Sequence, residues 1–165
     1  MSASSAVSSA GMKPLVLRRE RIVTVPVDVL WQLIEPATSL PSWLPLASRC
    51  DLLSGKGLGR RQRMITKWGR RTAEIDQEVI VYQPNKRLEW KHVDERMGGK
   101  PAPRMSSHVT FAIELESIGP GTRVQLESTN VPANAFSAML LKFIAARRIG
   151  KALDRALDVL SAVGG

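Results

Sequence analysis

Residues 25–45 limit what this chain can fold into more than any other segment, and their sequence is VPVDVLWQLIEPATSLPSWLP. Proline fits the first turn of a helix but interrupts a helix interior or a central strand. The prolines therefore predict a strand that ends at Val25, a short helix between Pro26 and Pro36, and a second helical turn from about Ser39 to Pro45. A pair of short helices in this position must connect one strand to the next.

The segments on both sides of this pair alternate between apolar and polar residues, with the period of two that is typical of strands. The clearest example is segment 104–116, in which one face consists of Met105, Ser107, Val109, Phe111, Ile113 and Leu115. Strands are predicted at residues 15–25, 47–53, 58–68, 71–82, 88–95, 104–116 and 123–131. Residues 96–103 are predicted to form a loop. Strands with one polar face and short turns indicate an antiparallel sheet.

Residues 132–163 carry the period of a helix instead. Apolar or small residues recur at steps of three and four, at Met139, Phe143, Ala146, Gly150, Leu153, Leu157 and Leu160. This spacing predicts one long helix whose apolar stripe packs against the sheet. The predicted order is therefore a strand, a helix pair, six strands and a long helix.

The length and composition of the chain favour one domain. The chain has 165 residues, 44% of them hydrophobic and 24% charged, which suits a single globular core. Residues 1–13 are rich in serine and alanine and are predicted to be a flexible tail, which leaves residues 14–163 as the domain. No apolar run has the length of a membrane span, and the N-terminus lacks the pattern of a signal peptide, so we expect a cytoplasmic protein.

The net charge of +9 favours encounters with anionic partners. Basic residues cluster at Arg60, Arg61, Arg63, Lys67, Arg70 and Arg71, and again at Lys142, Arg147, Arg148, Lys151 and Arg155. No nucleic-acid-binding motif accompanies them, so nucleic acid is not the expected partner. The basic surface is either simply solvated or contacts an anionic membrane or an acidic protein. No segment predicts an oligomeric state.

Several short sequences resemble one superfamily when they are taken in order: VPVDVLW, SWLP, GKGLGRR, PNKRLEW and GPGTRVQL, followed by the apolar C-terminal helix. Together they resemble the START-like (SRPBCC, Bet v 1-like) superfamily, and within it the polyketide cyclase/dehydrase-like branch. The resemblance covers nearly the whole chain after Met12. It implies an α+β helix-grip fold: a seven-stranded curved antiparallel sheet wrapped around the long C-terminal helix, with two short helices after the first strand.

The resemblance also implies a cavity between the sheet and the C-terminal helix. Members of the superfamily bind small hydrophobic molecules there, such as lipids or polyketides, as carriers or sensors. The alternative is an enzyme that resembles polyketide cyclases, aromatases or dehydratases and acts in the same cavity. A curved sheet that one helix does not fill agrees with such a pocket.

Alternation indicates which polar side chains face the helix, where they need a partner that a ligand can supply. Alternation does not decide which face of segment 58–68 points inward. If Met64 and Trp68 point inward, then so do Arg60, Gln62 and Thr66. The polar candidates are Gln62, Gln77, His92, Ser107 and Ser128, with Arg60 near the rim. Alternatively, these groups lie at strand ends or bond to one another. The predicted ligand contacts are Trp43, Gln62, Met64, Trp68, Gln77, Trp90, Ser107, Phe111 and Phe143, with Trp43 and Trp68 near the mouth.

Residues that could perform chemistry are few. His92 shares a face with Trp90 and is the one acid/base candidate, because imidazole titrates near neutral pH, although it lies near a strand end. Cys50 is more consistent with a buried strand residue than with a nucleophile. Two histidines on different faces and one cysteine do not predict a metal site. The GKGLG turn precedes a strand rather than a helix, so no dinucleotide site or other cofactor is expected.

Overall fold

The computed structural model describes residues 12–163, so the predicted flexible tail lies outside the described residues except for its last two positions. The strands are β1 (Leu15–Val23), β2 (Arg49–Ser54), β3 (Arg61–Trp68), β4 (Arg71–Gln83), β5 (Arg87–Met97), β6 (Lys100–Pro101), β7 (Ser106–Ile118) and β8 (Gly121–Pro132). The helices are α1 (Val27–Ile34), a 3₁₀ turn (Ala37–Ser39), α2 (Leu40–Trp43), α3 (Ala135–Leu140), a π-helical turn (Leu141–Ala145) and α4 (Ala146–Ala162).

The strands form one antiparallel sheet in the order β1-β8-β7-β5-β4-β3-β2. Within the segment predicted as a loop, the two-residue strand β6 pairs with β5 alone. The α+β helix-grip architecture is confirmed: seven long strands curve around the C-terminal helix. Because β1 and β2 are the two edges of the sheet, the helix pair between them must cross from one edge to the other.

Contacts just before α1 and within it hold the helix pair against the sheet. The backbone oxygen of Val25 accepts a hydrogen bond of 2.7 Å from the Thr122 hydroxyl, just before the helix begins. The Trp31 ring packs edge-on against the Tyr82 ring of β4, with 5.6 Å between centroids. Gly121 allows β8 to approach β1 closely, because a Cβ there would lie 2.3 Å from the Val23 oxygen.

The C-terminal helix differs from its predicted stripe in the first half. Met139 is 49% exposed and Phe143 is 64% exposed, whereas the second half buries Leu153, Leu157 and Leu160 as predicted. The residues that face inward in the first half are Ser137, Leu141 and Ala145, followed by Gly150. The step of five from Ala145 to Gly150 comes from the π-helical turn, which holds an extra residue and rotates the preceding segment by about 100°.

The inward face of β3 is the one that carries Met64. Arg60, Gln62, Met64 and Thr66 are all buried. The alternate positions point to the outer face, where Arg63 pairs with Asp76 of β4 at 2.8 Å. The structure thus settles the alternative that the sequence left open for this strand.

Candidate functional site

A cavity of about 470 Å³ lies between the concave face of the sheet and the C-terminal helix. Its apolar walls come from the sheet (Met64, Ala73, Ile75, Trp90, Val109, Phe111), from the helix (Leu140, Leu141, Ile144, Ala145, Ile149) and from the residues after α2 (Leu44, Leu46). Small side chains such as Ala145 on the helix face leave this space unfilled. The volume falls within the range of about 300–1,000 Å³ that is usual for small-molecule sites.

Two stacked aromatic rings form the central wall of the cavity. Trp90 of β5 lies directly opposite Phe111 of β7 in the ladder, and their rings stack with 5.0 Å between centroids. Trp43 packs behind them, 6.4 Å from the Phe111 ring. This wall offers an apolar aromatic surface to a ligand.

A cation–π contact connects the helix to the β3–β4 hairpin at the rim of the cavity. The guanidinium of Arg148 lies 3.9 Å from the centroid of Trp68, which is 42% exposed. The same side chain donates a hydrogen bond of 2.5 Å to the backbone oxygen of Lys67. Trp68, Arg148 and the exposed Ile144 line the cavity here, and we call this group the mouth.

A chain of hydrogen bonds runs from a buried arginine to the cavity. The guanidinium of Arg60 donates to the backbone oxygen of Glu35 at 2.7 Å and lies 3.3 Å from its carboxylate. It also donates to the Gln62 side-chain oxygen at 3.0 Å, and the Gln62 amide nitrogen donates to the Gln77 side-chain oxygen at 2.8 Å. Burial lowers the pKa of Arg60 from its ordinary value, and the charge of Glu35 opposes that shift.

His92 and Glu95 form a second polar group on the cavity wall. Their side chains meet at 2.8 Å between Nδ1 and Oε1. This hydrogen bond from His92 lowers the pKa of Glu95, and burial opposes the shift. Strict alternation would place residues 92 and 95 on opposite faces. Val93, however, has no partner where Gln77 faces His92 and Asp76 faces Asp94, so the extra residue turns both side chains inward.

The structure brings together most of the side chains that the sequence singled out. Those that line the cavity are Met64, Trp68, Gln77, Trp90, His92, Phe111 and Ser128. No contact in the structure tests whether these residues bind a ligand, so their binding roles remain predictions.

Four of the predicted ligand contacts do not line the cavity: Trp43, Gln62, Ser107 and Phe143. Trp43 is fully buried behind Phe111 rather than at the mouth, and Leu44 lines the cavity in its place. Gln62 lies behind Gln77. Arg60, expected near the rim, is buried beside it.

Ser107 and Phe143 lie outside the cavity for local reasons. Ser107 is exposed, and its hydroxyl donates to the Val131 oxygen at 3.3 Å. A register shift between Ser106 and His108 interrupts the alternation there and directs Ser106 to the cavity. Phe143 lies on the solvent side because of the π-helical turn.

Polar residues that were not predicted from the sequence also line the cavity, among them Glu95, Asn130, Thr110 and Arg148. Asn130 could have been found, because it continues the inward series of Val124, Leu126 and Ser128. Its amide donates to the Ser128 hydroxyl at 3.1 Å. Glu95 and Arg148 had no such signal, since one depends on the unpaired Val93 and the other on a contact between distant segments.

Few other groups among the described residues could act as a nucleophile or bind a metal ion. Burial raises the pKa of the Cys50 thiol to about 12, so the thiol stays protonated and unreactive at neutral pH. Residues 12–163 contain no group of three His, Cys, Asp or Glu residues that could hold a metal ion. In the same part of the chain, no helix combines the length and apolarity needed to cross a bilayer.

Comparison with known proteins gives one family. Residues 14–164 match the family described as "Polyketide cyclase / dehydrase and lipid transport". A search of curated proteins gave no significant match.

Several solved structures share the fold. TTHA0849 from Thermus thermophilus has a TM-score of 0.70 at 16% identity, over 89% of this chain and 94% of that one. Ginseng major latex-like protein 151 from Panax ginseng has a TM-score of 0.69 at 14% identity, over 92% and 97%. Mll3558 protein from Rhizobium loti has a TM-score of 0.68 at 14% identity, over 92% and 98%. At such low identity these similarities establish the fold alone.

Proposed function

Because this chain belongs to the polyketide cyclase/dehydrase and lipid transport family, we propose that it binds a small hydrophobic ligand, such as a lipid or a polyketide, as a carrier or sensor. The site is the cavity between the sheet and the C-terminal helix, and residues 14–163 act as one ligand-binding domain. Cys50 is a free thiol, which suits a reducing compartment, and we propose the cytoplasm as the location.

The observation that carries this proposal is the apolar cavity itself. At about 30 Å³ for each water molecule, a volume of 470 Å³ holds about sixteen waters against walls that offer them few hydrogen bonds. A ligand that displaces them gains about 25 cal/mol for each Å² of apolar surface removed from water. Stacking against Trp90 and Phe111 would add to this gain.

The proposal can be tested by filling the cavity. Ala145→Trp places a large side chain in it from the helix, and Ala162→Trp makes the same exchange at an exposed position of α4. We expect a fluorescent apolar probe to bind the wild type and Ala162→Trp equally, and to bind Ala145→Trp at least tenfold more weakly, a loss of ~1.4 kcal/mol or more. Equal binding to all three would refute the cavity as the site. Mass spectrometry of molecules that co-purify from the host would identify the natural ligand.

The pair of His92 and Glu95 supports the second candidate, an enzyme that cyclises, aromatises or dehydrates a polyketide in the same cavity. If Nδ1–H of His92 donates to Glu95, then Nε2 is left as a base on the wall of the cavity. Turnover of a poly-β-ketone that is lost in His92→Ala and weakened in Glu95→Gln would favour the enzyme. An unchanged ligand retained through purification would favour the carrier.

We further propose that the start of the C-terminal helix contacts an anionic membrane. Four large apolar side chains are exposed there: Phe136, Met139, Phe143 and Ile144. Three exposed basic side chains adjoin them: Lys142, Arg147 and Lys151. No acidic residue occurs between Glu127 and Asp154. An apolar face flanked by basic residues is typical of helices that lie on membranes, and here it adjoins the mouth.

Vesicles of phosphatidylcholine, with and without phosphatidylserine, test this contact. We expect binding only when phosphatidylserine is present, and weaker binding as salt is raised. Replacing both Phe136 and Phe143 by serine should abolish binding, whereas Val159→Ser, an exposed apolar change farther along α4, should not. Binding that is indifferent to phosphatidylserine, or equal in both variants, would contradict the proposal.

A further inference from the structure

The buried polar chain behind the cavity ends in the side-chain amide of Gln77, a residue that lines the ligand space. We infer that the ligand presents a hydrogen-bond-accepting oxygen, such as a carbonyl or ether oxygen, to the Gln77 amide nitrogen. This inference rests on the proposed function, because it requires a ligand in the cavity.

Arg60 determines the direction of every hydrogen bond in the chain. A guanidinium has N–H donors and no acceptor, so the Gln62 group at 3.0 Å from it must be the side-chain oxygen. The Gln62 amide nitrogen is then the atom that faces Gln77, and it can only donate, at 2.8 Å, to the Gln77 oxygen. Reversing either amide would oppose two donors. The orientation of both glutamines therefore follows from the one arginine.

This orientation leaves the Gln77 amide nitrogen without a strong partner. Gln77 is 1% exposed and lines the cavity. Among residues 12–163, the acceptor near its nitrogen is the Met64 sulfur at 3.8 Å, and a thioether accepts hydrogen bonds only weakly. A buried donor that lacks a partner costs about 1–3 kcal/mol. An oxygen on the ligand would remove that cost.

The helix pair holds the start of the chain in place. Arg60 is 4% exposed, and it is fixed by the backbone oxygen and carboxylate of Glu35, at the C-terminal end of α1. The Tyr82 hydroxyl donates to the same carboxylate at 3.3 Å. Because Arg60 is anchored from one side, it cannot turn to let Gln62 reverse its amide.

Two compounds of the same shape provide the test: fluorene, which has a CH₂ group, and 9-fluorenone, which has a carbonyl at that position. For each protein variant we would measure both affinities by tryptophan fluorescence and take their ratio. One hydrogen bond contributes about 0.5–1.5 kcal/mol, so Gln77→Leu should reduce the preference for fluorenone about 2- to 12-fold. Gln62→Leu should also reduce it, because Gln77 is then free to turn its oxygen inward. Gln83→Leu, the same exchange at the exposed end of β4, should leave it unchanged.

Side-chain amide NMR of the wild type supplies a readout that needs no variant. The ¹⁵N-labelled Gln77 amide signals should shift more on addition of fluorenone than of fluorene. Equal ratios in the wild type and Gln77→Leu, or equal NMR shifts with both compounds, would overturn the inference while leaving ligand binding intact. If neither compound nor the fluorescent apolar probe binds, the proposed function fails and the inference fails with it.

Discussion

The ion pair between Arg60 and Glu35 allows a quantitative test of how the chain stabilises a charge inside its core. The Arg60 side chain is 5% exposed and that of Glu35 is 29% exposed, with 3.3 Å between Nη1 and Oε1. Removing one partner of a buried pair costs about 3–5 kcal/mol. Here the Glu35 backbone oxygen remains bound to Arg60 in Glu35→Ala, and water reaches the site, so we expect that variant to lose about 2 kcal/mol of unfolding free energy.

Arg60→Met should destabilise the chain for a different reason. It leaves the buried Gln62 oxygen without its donor, which costs about 2 kcal/mol, while the partly exposed Glu35 carboxylate is hydrated. The double variant contains no buried charge and retains only this second cost. We therefore expect it to lose about 2 kcal/mol rather than the sum of about 4 kcal/mol, a coupling of about 2 kcal/mol.

Urea unfolding followed by circular dichroism measures these differences, provided that the m-value is unchanged. Arg61→Met is the matched control, because Arg61 is exposed and pairs with Glu78 on the outer face. It should change the unfolding free energy by less than about 1 kcal/mol. Additive losses in the double variant, or a neutral Glu35→Ala, would refute the interpretation that Glu35 compensates the buried charge.

Three further outcomes are expected. Hydrogen bonding to Arg63 lowers the pKa of Asp76, so its stabilising contribution is present above the unfolded pKa and lost as the pH falls through the folded one. Acid unfolding of the wild type below about pH 4 should thus be steeper than that of Asp76→Asn, and identical slopes would contradict this. Asn134 caps α3 by accepting from the Ser137 backbone at 2.8 Å, so Asn134→Ala should lower the unfolding free energy by about 1 kcal/mol, whereas Asn134→Ser should restore most of it. Phe143→Ser should change the unfolding free energy, measured by thermal denaturation, by less than about 0.5 kcal/mol because the ring is exposed. A larger loss would show that Phe143 packs inward, as its spacing suggested.

Alternation, the positions of the prolines and helical spacing were enough to predict the seven long strands, the helix pair and the C-terminal helix. The predicted facing of side chains was wrong wherever a strand or helix contains one extra residue. The unpaired Val93 turned Glu95 inward, the shift after Ser106 turned Ser107 outward, and the π-helical turn exposed Phe143. One added residue reverses the facing of a strand, so the error affects which side chains line the site while the element remains correct. Such insertions depend on contacts between distant segments and have no local signal.

The helix pair links the fold to the polar groups behind the cavity. Its prolines indicated a connection between strands, and the sheet order shows that it crosses from one edge to the other. That crossing places Glu35 beside Arg60, at the buried beginning of the hydrogen-bond chain that ends at Gln77. Because Arg60 can only donate, its anchoring by the helix pair fixes the direction of the chain, in which the Gln77 oxygen accepts and the Gln77 nitrogen remains as a donor. The segment that most constrains the fold would therefore also set the polarity of the ligand contact that we infer.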